Sequence, residues 1–192
     1  MSVGISGRHG WRPLGKPRLI TKVNNNTIVT IDGKRASSLY EEYFAEEAQN
    51  LYSAQLTQMA ILYPLGIYIE ESNEYLLRNA IDILPDGGIV CQGEVPEGAK
   101  VHIMIGNKDS CKEAAREAAL EARKNLFGKK AQLIFIIESM ARLKLLGRSA
   151  FDEIKKIKEV FEPNVPIVGM YAHGEICPFQ SVERIRKPHL QN

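Results

Sequence analysis

The length and composition of the chain favour a globular protein of one domain and argue against several functional classes. Its 192 residues are 44% hydrophobic and 25% charged, which is enough to bury a full core. Lysine and arginine together number 25, against 23 aspartate and glutamate, so we do not expect a nucleic-acid partner. No apolar run approaches the ~18 residues of a membrane span, and no signal-peptide pattern opens the chain. We therefore expect a cytoplasmic protein without a membrane partner.

The first third of the chain predicts two strands and a helix. A lead-in rich in glycine, proline and basic residues precedes two β-like runs, Leu19–Val23 and Thr27–Ile31, which three asparagines separate. A helix is predicted from Ser38, which can cap it with Glu41 at capping-box spacing. Its apolar face comprises Leu39, Tyr43, Phe44 and Leu51.

The middle of the chain predicts an antiparallel meander. Short apolar runs alternate with proline and glycine, and short loops join antiparallel neighbours. The predicted strands are Ala60–Tyr63, Gly66–Ile69, Leu76–Leu84, Ile89–Cys91 and Val101–Ile105.

The last part predicts alternating helices and buried strands. Helices are expected over Lys112–Phe127 and over Ser149–Phe161, with Phe151 facing inward. The apolar runs Ala131–Ile137 and Val165–Tyr171 predict strands buried in the sheet. The fold class is therefore α+β, a mixed fold with a largely antiparallel sheet and meander covered by about three helices.

Catalytic and cofactor motifs do not occur in the sequence. It contains no GxxxxGK[ST], HExxH or GxSxG pattern, and its four histidines and three cysteines are scattered. The nearest approach to a nucleophile and base is Cys177 with His173, which we interpret as a small buried residue and a strand histidine. We therefore predict no catalytic residue, no metal, no cofactor and no enzymatic activity.

Five polar side chains at or near the ends of apolar runs are the candidate ligand contacts. Arg78 shares a strand face with Asp82, and such charges are costly to bury unless they are paired or bind something. Arg142 lies just beyond a predicted core strand. Pockets of α/β proteins form at such strand ends. The last core strand is followed by the remaining candidates, Tyr171, His173 and Glu175.

Several of these segments together resemble the C-terminal domain of FIST proteins, the family named for F-box and intracellular signal transduction. Each piece is short, but their order and spacing agree along most of residues 38–178. The pieces are Leu62–Ile67, Leu77–Asn79, Gly93–Gly98, Ala141-Arg142, Leu146-Gly147, Gly169–Tyr171 and Gly174–Pro178. The lead-in Gly10–Gly15 resembles the closing segment of the family's N-terminal domain.

The resemblance implies a domain division and a sensory role. Residues 1–35 would be the end of a FIST N-terminal domain, and residues 36–192 a FIST C-terminal-like domain. The family implies a cytoplasmic module that binds a small ligand, with an amino acid or related metabolite suggested. A signalling protein or an adjacent FIST N-terminal domain would be its protein partner. Many members carry a cysteine where this chain has Ser139, which puts any thiol role at that position in doubt.

Three functional hypotheses remain open at this point. In the first, a sensory domain holds a ligand carboxylate with Arg142 or Arg78 and an ammonium with Glu175, while Tyr171 and His173 line the pocket. In the second, an adaptor of the F-box signalling type docks another protein through an apolar surface. In the third, Cys177, His173 and Glu175 form a hydrolase or transferase site.

Overall fold

The computed structural model describes residues 1–44, 63–70, 74–177 and 189–191. These residues form two compact units: a sheet unit of residues 12–105, and a helical unit of residues 1–11 together with 106–191. The domain boundary predicted at residue 35 falls inside the sheet unit and stays a prediction. Leu51 of the first predicted helix and residues 60–62 of a predicted strand lie outside the described residues.

In its described residues, the sheet unit is an eight-stranded antiparallel sheet with one short helix. The strand order is β5-β4-β8-β1-β2-β7-β6, with β3 paired to β2. Two hairpins, β4–β5 and β6–β7, confirm the antiparallel pairing expected of the meander. The strands are β1 (Arg12–Asn24), β2 (Thr27–Ile31), β3 (Lys34–Arg35), β4 (Leu65–Ile69), β5 (Glu74–Arg78), β6 (Ala80–Ile83), β7 (Ile89–Cys91) and β8 (Lys100–Ile105).

The prediction of a single strand over Leu76–Leu84 is wrong. The strand is interrupted at Asn79, so that two shorter strands form. β5 pairs with β4, and β6 pairs with β7 across a register shift. Arg78 is buried but Asp82 is exposed, and the two charges therefore do not share a buried face.

The short helix α1 (Ser38–Tyr43) begins as predicted but without the predicted cap. Ser37 is the residue before the helix, and no side-chain cap is formed. The Ser37 hydroxyl instead donates to Oε1 of Glu41 at 3.2 Å.

The helical unit is a parallel strand pair with helices between and before its strands. The long helix is α2 (Lys108–Lys124), which Asn107 and Ser110 cap reciprocally. It is followed by β9 (Ile134–Ser139), α3 (Met140–Leu146), a 3-10 turn (Gly147–Ser149), α4 (Ala150–Lys158), β10 (Ile167–Ala172), β11 (Glu175–Cys177) and β12 (His189–Gln191). β9 and β10 pair in parallel, as strands joined by a helical crossover do.

One face of the β9–β10 pair is packed and the other is open. The packed face contributes Ile134 to a core with Ala115 and Ala119 of α2 and Ile157 of α4. Alanines at these positions let α2 lie close to the strands. The open face, by contrast, carries Phe135, Ile137, Val168 and Met170, each roughly half exposed.

The prediction that both apolar runs are buried within the sheet is therefore wrong. Within the part of the chain that the structure describes, β9 and β10 form a two-stranded sheet of their own and pair with no strand of the eight-stranded sheet. Their alternate residues face solvent, although apolar runs of this kind usually lie in strands covered on both faces. The described helices include none that is long and apolar enough to cross a membrane.

Candidate functional site

The centre of the site is the guanidinium of Arg142. The strand β9 ends at Ser139, whose hydroxyl oxygen accepts a hydrogen bond from the Ala141 N–H at 3.2 Å and caps α3. The chain turns there from strand to helix, and Arg142 falls one turn into α3. Its side chain is 4% exposed.

The Arg142 guanidinium donates three hydrogen bonds within the helical unit, all from its two Nη atoms, while Nε is ion-paired without a hydrogen-bond partner among the described residues. Nη1 donates to the Arg8 carbonyl oxygen at 2.7 Å, and Nη2 donates to the Cys111 carbonyl oxygen at 2.8 Å. Nη2 also donates to Oε1 of Glu153, and Nε lies 3.1 Å from Oε1 of Glu138. Burial lowers the pKa of Arg142, but the charges of Glu138 and Glu153 outweigh it and raise the pKa above its ordinary value.

Glu153 is the most completely buried acid of the site. It is 0% exposed, and its Oε2 has no hydrogen-bond partner among the described residues. Burial raises the pKa of its carboxyl far above the usual range, against the opposing charge of Arg142. The like charge of Glu138 acts in the same direction as burial.

Glu175 brings a third carboxyl to this place from the short strand β11. Its Oε1 is buried and has no hydrogen-bond partner in the described part of the chain. Burial raises its pKa to about 7, the charge of Glu138 acts in the same direction, and the charge of Arg142 opposes them. We call Glu138, Arg142, Glu153 and Glu175 the Arg142 cluster. It contains three carboxyl groups around one guanidinium.

Tyr171 lies beside the Arg142 cluster, and His173 follows it two residues later in the chain. Tyr171 lies on β10 and is 38% exposed. Burial raises the pKa of its hydroxyl, and the charges of Glu138 and Glu153 act in the same direction. His173 is exposed in the turn between β10 and β11. Cys177 ends β11 and is partly buried.

A glycine repeat explains how the N-terminal segment reaches this site. A side chain at Gly4 would overlap the Ala122 carbonyl of α2, and one at Gly7 would overlap Sγ of Cys177. At Gly10, a Cβ would lie 2.9 Å from Cα of Cys111. Glycine at every third residue thus lets the segment lie directly against α2 and β11. The Arg8 carbonyl is thereby placed on Arg142.

Arg78 lies in the sheet unit, whereas the other four predicted site residues lie in the helical unit. Its Nε donates to the Glu94 carbonyl oxygen at 2.8 Å, and its Nη1 donates to the Leu77 carbonyl oxygen at 3.0 Å. Burial lowers its pKa. The side chain therefore joins the end of β5 to the Gly93-Glu94 turn.

Glu138 and Glu153 were not among the site residues predicted from the sequence. For Glu153 a signal was present, because Ala150 and Ile157 lie three residues before and four after it and put it on the buried face of α4. We predicted that Phe151 faces inward, but it is 79% exposed. Among the described residues, no group of three or more His, Cys, Asp or Glu side chains is arranged to hold a metal ion.

Comparison with known protein families now assigns the chain. The family described as FIST C domain matches residues 36–178, and the family described as FIST N domain matches residues 1–34. No curated protein and no solved structure matches the chain. The chain belongs to the FIST family, which confirms the resemblance seen in its sequence. FIST domains are generally sensory domains of signal transduction.

Proposed function

We propose that this FIST protein is a cytoplasmic sensory domain that binds a small molecule through a primary ammonium group, as carried by an amino acid or a related metabolite. The observation that carries the proposal is the pair of buried carboxylate oxygens, one on Glu153 and one on Glu175, that have no hydrogen-bond partner among the described residues. A buried, unpaired carboxylate is unfavourable. An ammonium group offers positive charge and three N–H donors.

Glu175 is the proposed contact for the ammonium group. It is only partly buried, and its neighbours in sequence, Tyr171 and His173, are exposed. A ligand can therefore approach Glu175 from solvent, whereas Glu153 is fully enclosed. We propose that Tyr171 and His173 line this approach.

Arg142 has a different role in this proposal from the one first predicted. Its two Nη atoms already donate to Glu153 and to two main-chain carbonyls, and its Nε is ion-paired with Glu138. A ligand carboxylate would have to displace these partners. We therefore propose that Arg142 positions the acidic side chains. Arg78, which donates to main-chain carbonyls, has a structural role in the sheet unit. We propose no catalytic step.

The test is a binding screen of the full chain against amino acids and amines, each compared with its N-acetylated counterpart. A ligand at a hundredfold excess over its Kd should add about 2.7 kcal/mol to the free energy of unfolding. We expect stabilisation by the free amines and none by the acetylated compounds. Equal stabilisation by both would show that the ammonium group is not recognised.

Two variants locate the binding site in the same screen. Glu175→Gln should lose the response because the neutral amide lacks the charge that pairs with an ammonium. Glu117→Gln removes an exposed carboxyl from α2 of the same unit and should respond like the unmodified protein. If Glu175→Gln responded normally while folded, the assignment of Glu175 would be wrong.

A second candidate is an adaptor that docks a signalling protein or a FIST N-terminal domain. The open face of β9–β10, with Phe135, Ile137, Val168 and Met170, favours it, since exposed apolar patches mark interaction surfaces. Phe135→Ser together with Met170→Ser should then abolish association in sedimentation experiments while amine binding persists. If association were unaffected, this face would not be the docking surface.

A further inference from the structure

The Arg142 cluster has too little positive charge for its carboxyl groups. Several structural elements direct titratable or charged groups at it, and together the described residues contribute one guanidinium, three carboxyls, a thiol and a phenol. These groups are Cys111 of α2, Glu138 of β9, Arg142 of α3, Glu153 of α4, Tyr171 of β10 and Glu175 of β11. The positive side chain of Arg8 is paired with Glu121 at 2.7 Å, and only its carbonyl contacts Arg142.

The placement of two carboxyl groups on one guanidinium shows where a proton fits. Oε1 of Glu138 lies 3.1 Å from Nε of Arg142, and Oε1 of Glu153 contacts Nη2 of the same side chain. Two ionised carboxylates held on one guanidinium repel each other, and a proton on one of them removes that repulsion. Neither Oε2 of Glu153 nor Oε1 of Glu175 has a hydrogen-bond partner among the described residues that would offset the excess charge.

We infer that the Arg142 cluster holds one exchangeable proton near neutral pH and releases it when an ammonium ligand binds. The inference rests on the proposed function, because the ammonium is what replaces the proton. The ligand's N–H groups pair with Glu175, and its charge makes the negative form of the neighbouring carboxyls favourable. The proton leaves to solvent, so the total charge of the site is unchanged.

This exchange makes the sensor respond to pH as well as to its ligand. By thermodynamic reciprocity, the ligand weakens proton binding by the same factor by which the proton weakens ligand binding. Raised pKa values support the exchange, with burial as the first cause and with Glu175 at about 7. The proton belongs to the coupled group rather than to one residue.

The test uses methylammonium as the probe and the full chain as the protein. A primary ammonium has an ordinary pKa of about 10.4 and stays charged between about pH 6 and pH 8. Chemical-shift titrations at the two pH values give the Kd, and a pH-stat measures the protons released. Tetramethylammonium is the control ligand, since it has the same charge and no N–H donor.

For the unmodified protein we expect methylammonium binding about tenfold weaker at about pH 6 than at about pH 8, with about one proton released per ligand at the lower pH. Glu153→Gln should still bind at the higher pH but lose most of the pH dependence, and Glu138→Gln serves the same purpose if the first variant does not fold. Glu117→Gln should behave like the unmodified protein.

The contrary outcomes separate the two proposals. Equal affinity at both pH values, without proton release, would overturn the proton exchange and leave the ammonium site standing. No binding of methylammonium at either pH would overturn both. Equal binding of tetramethylammonium would show that charge alone is recognised, which removes Glu175 as an N–H acceptor and with it the proposed exchange.

Discussion

Among the described residues, each of the two units buries one arginine, and the two side chains are held in different ways. Arg78 in the sheet unit is 5% exposed and Arg142 in the helical unit is 4% exposed, so burial alone does not distinguish them. Arg78 donates to main-chain carbonyl oxygens of Glu94 and Leu77. Arg142 donates to carbonyl oxygens as well, but it is also ion-paired with Glu138 and Glu153.

The pKa values of the two arginines are shifted in opposite directions. Burial lowers the pKa of Arg78, and the nearby negative groups do not restore it. Burial also lowers the pKa of Arg142, but there the carboxylates outweigh it and the pKa is raised. A buried arginine therefore indicates a site for a cation only when the negative charge around it exceeds its own. By that criterion the helical unit contains the candidate site, whereas Arg78 of the sheet unit has a structural role.

The largest expected effect is that of Arg142→Met. The substitution leaves the buried carboxyls of Glu138 and Glu153 without a counterion, and we expect a loss of about 3–5 kcal/mol of unfolding free energy at neutral pH. At about pH 5 the loss should be smaller, because Glu153, whose pKa is raised by burial, can then be protonated. Urea unfolding at the two pH values measures both.

The control for this prediction is Arg116→Met on α2. Arg116 is paired with Glu113 at 2.8 Å, but its side chain is 42% exposed, and such surface pairs contribute about 0–1 kcal/mol. A loss for Arg142→Met no larger than the control, or a loss equal at both pH values, would show that Arg142 does not balance buried charge.

A smaller effect is expected from the matching substitution in the sheet unit, Arg78→Met. The carbonyl oxygens of Glu94 and Leu77 lose their charged donor, which we expect to cost about 1–3 kcal/mol. The loss should be the same at about pH 5 and at neutral pH, since burial lowers the pKa of Arg78 by more than the nearby charges of Cys91 and Glu94 raise it. A clear pH dependence of the loss, measured by the same urea unfolding, would contradict the contrast between the two arginines.

The sequence predicted the elements of the fold better than their arrangement. The glycine and proline residues between apolar runs predicted the ends of β4, β7 and β8 to within about one residue, because the residue preferences of turns are local. The run Ala131–Ile137 looked like a buried strand, yet Phe135 and Ile137 face solvent. Apolar composition does not show which faces of a strand are covered, since that depends on the neighbours the chain brings to it.

The candidate site was predictable only in part. Arg142 and Glu175 follow strands and were found by that position, whereas their partners come from the whole length of the helical unit. The Arg8 carbonyl is 134 residues away from Arg142 along the chain. Because every residue has a main-chain oxygen, the sequence does not show which one will accept this hydrogen bond. The glycines at 4, 7 and 10 were visible, but their meaning as a close approach to α2 and β11 required the structure.

The smallest predicted effect is the pH dependence that Glu175→Gln removes. The pKa of Glu175 is raised from 4.5 to about 7 in the folded protein, so the folded state keeps a proton that the unfolded state releases. The stabilisation from this proton is complete below pH 4.5 and is lost as the pH rises through about 7. Glutamine cannot titrate. The variant should therefore equal the unmodified protein in acid and exceed it at about pH 8, by about 1 kcal/mol once solvent screening of this partly exposed group is allowed for. Urea unfolding of both proteins across this pH range is the measurement.

A variant that is less stable than the unmodified protein at pH 8 would mean that the ionised Glu175 already has a partner in the unliganded protein. Glu175 would then offer no unpaired negative charge to an ammonium ligand.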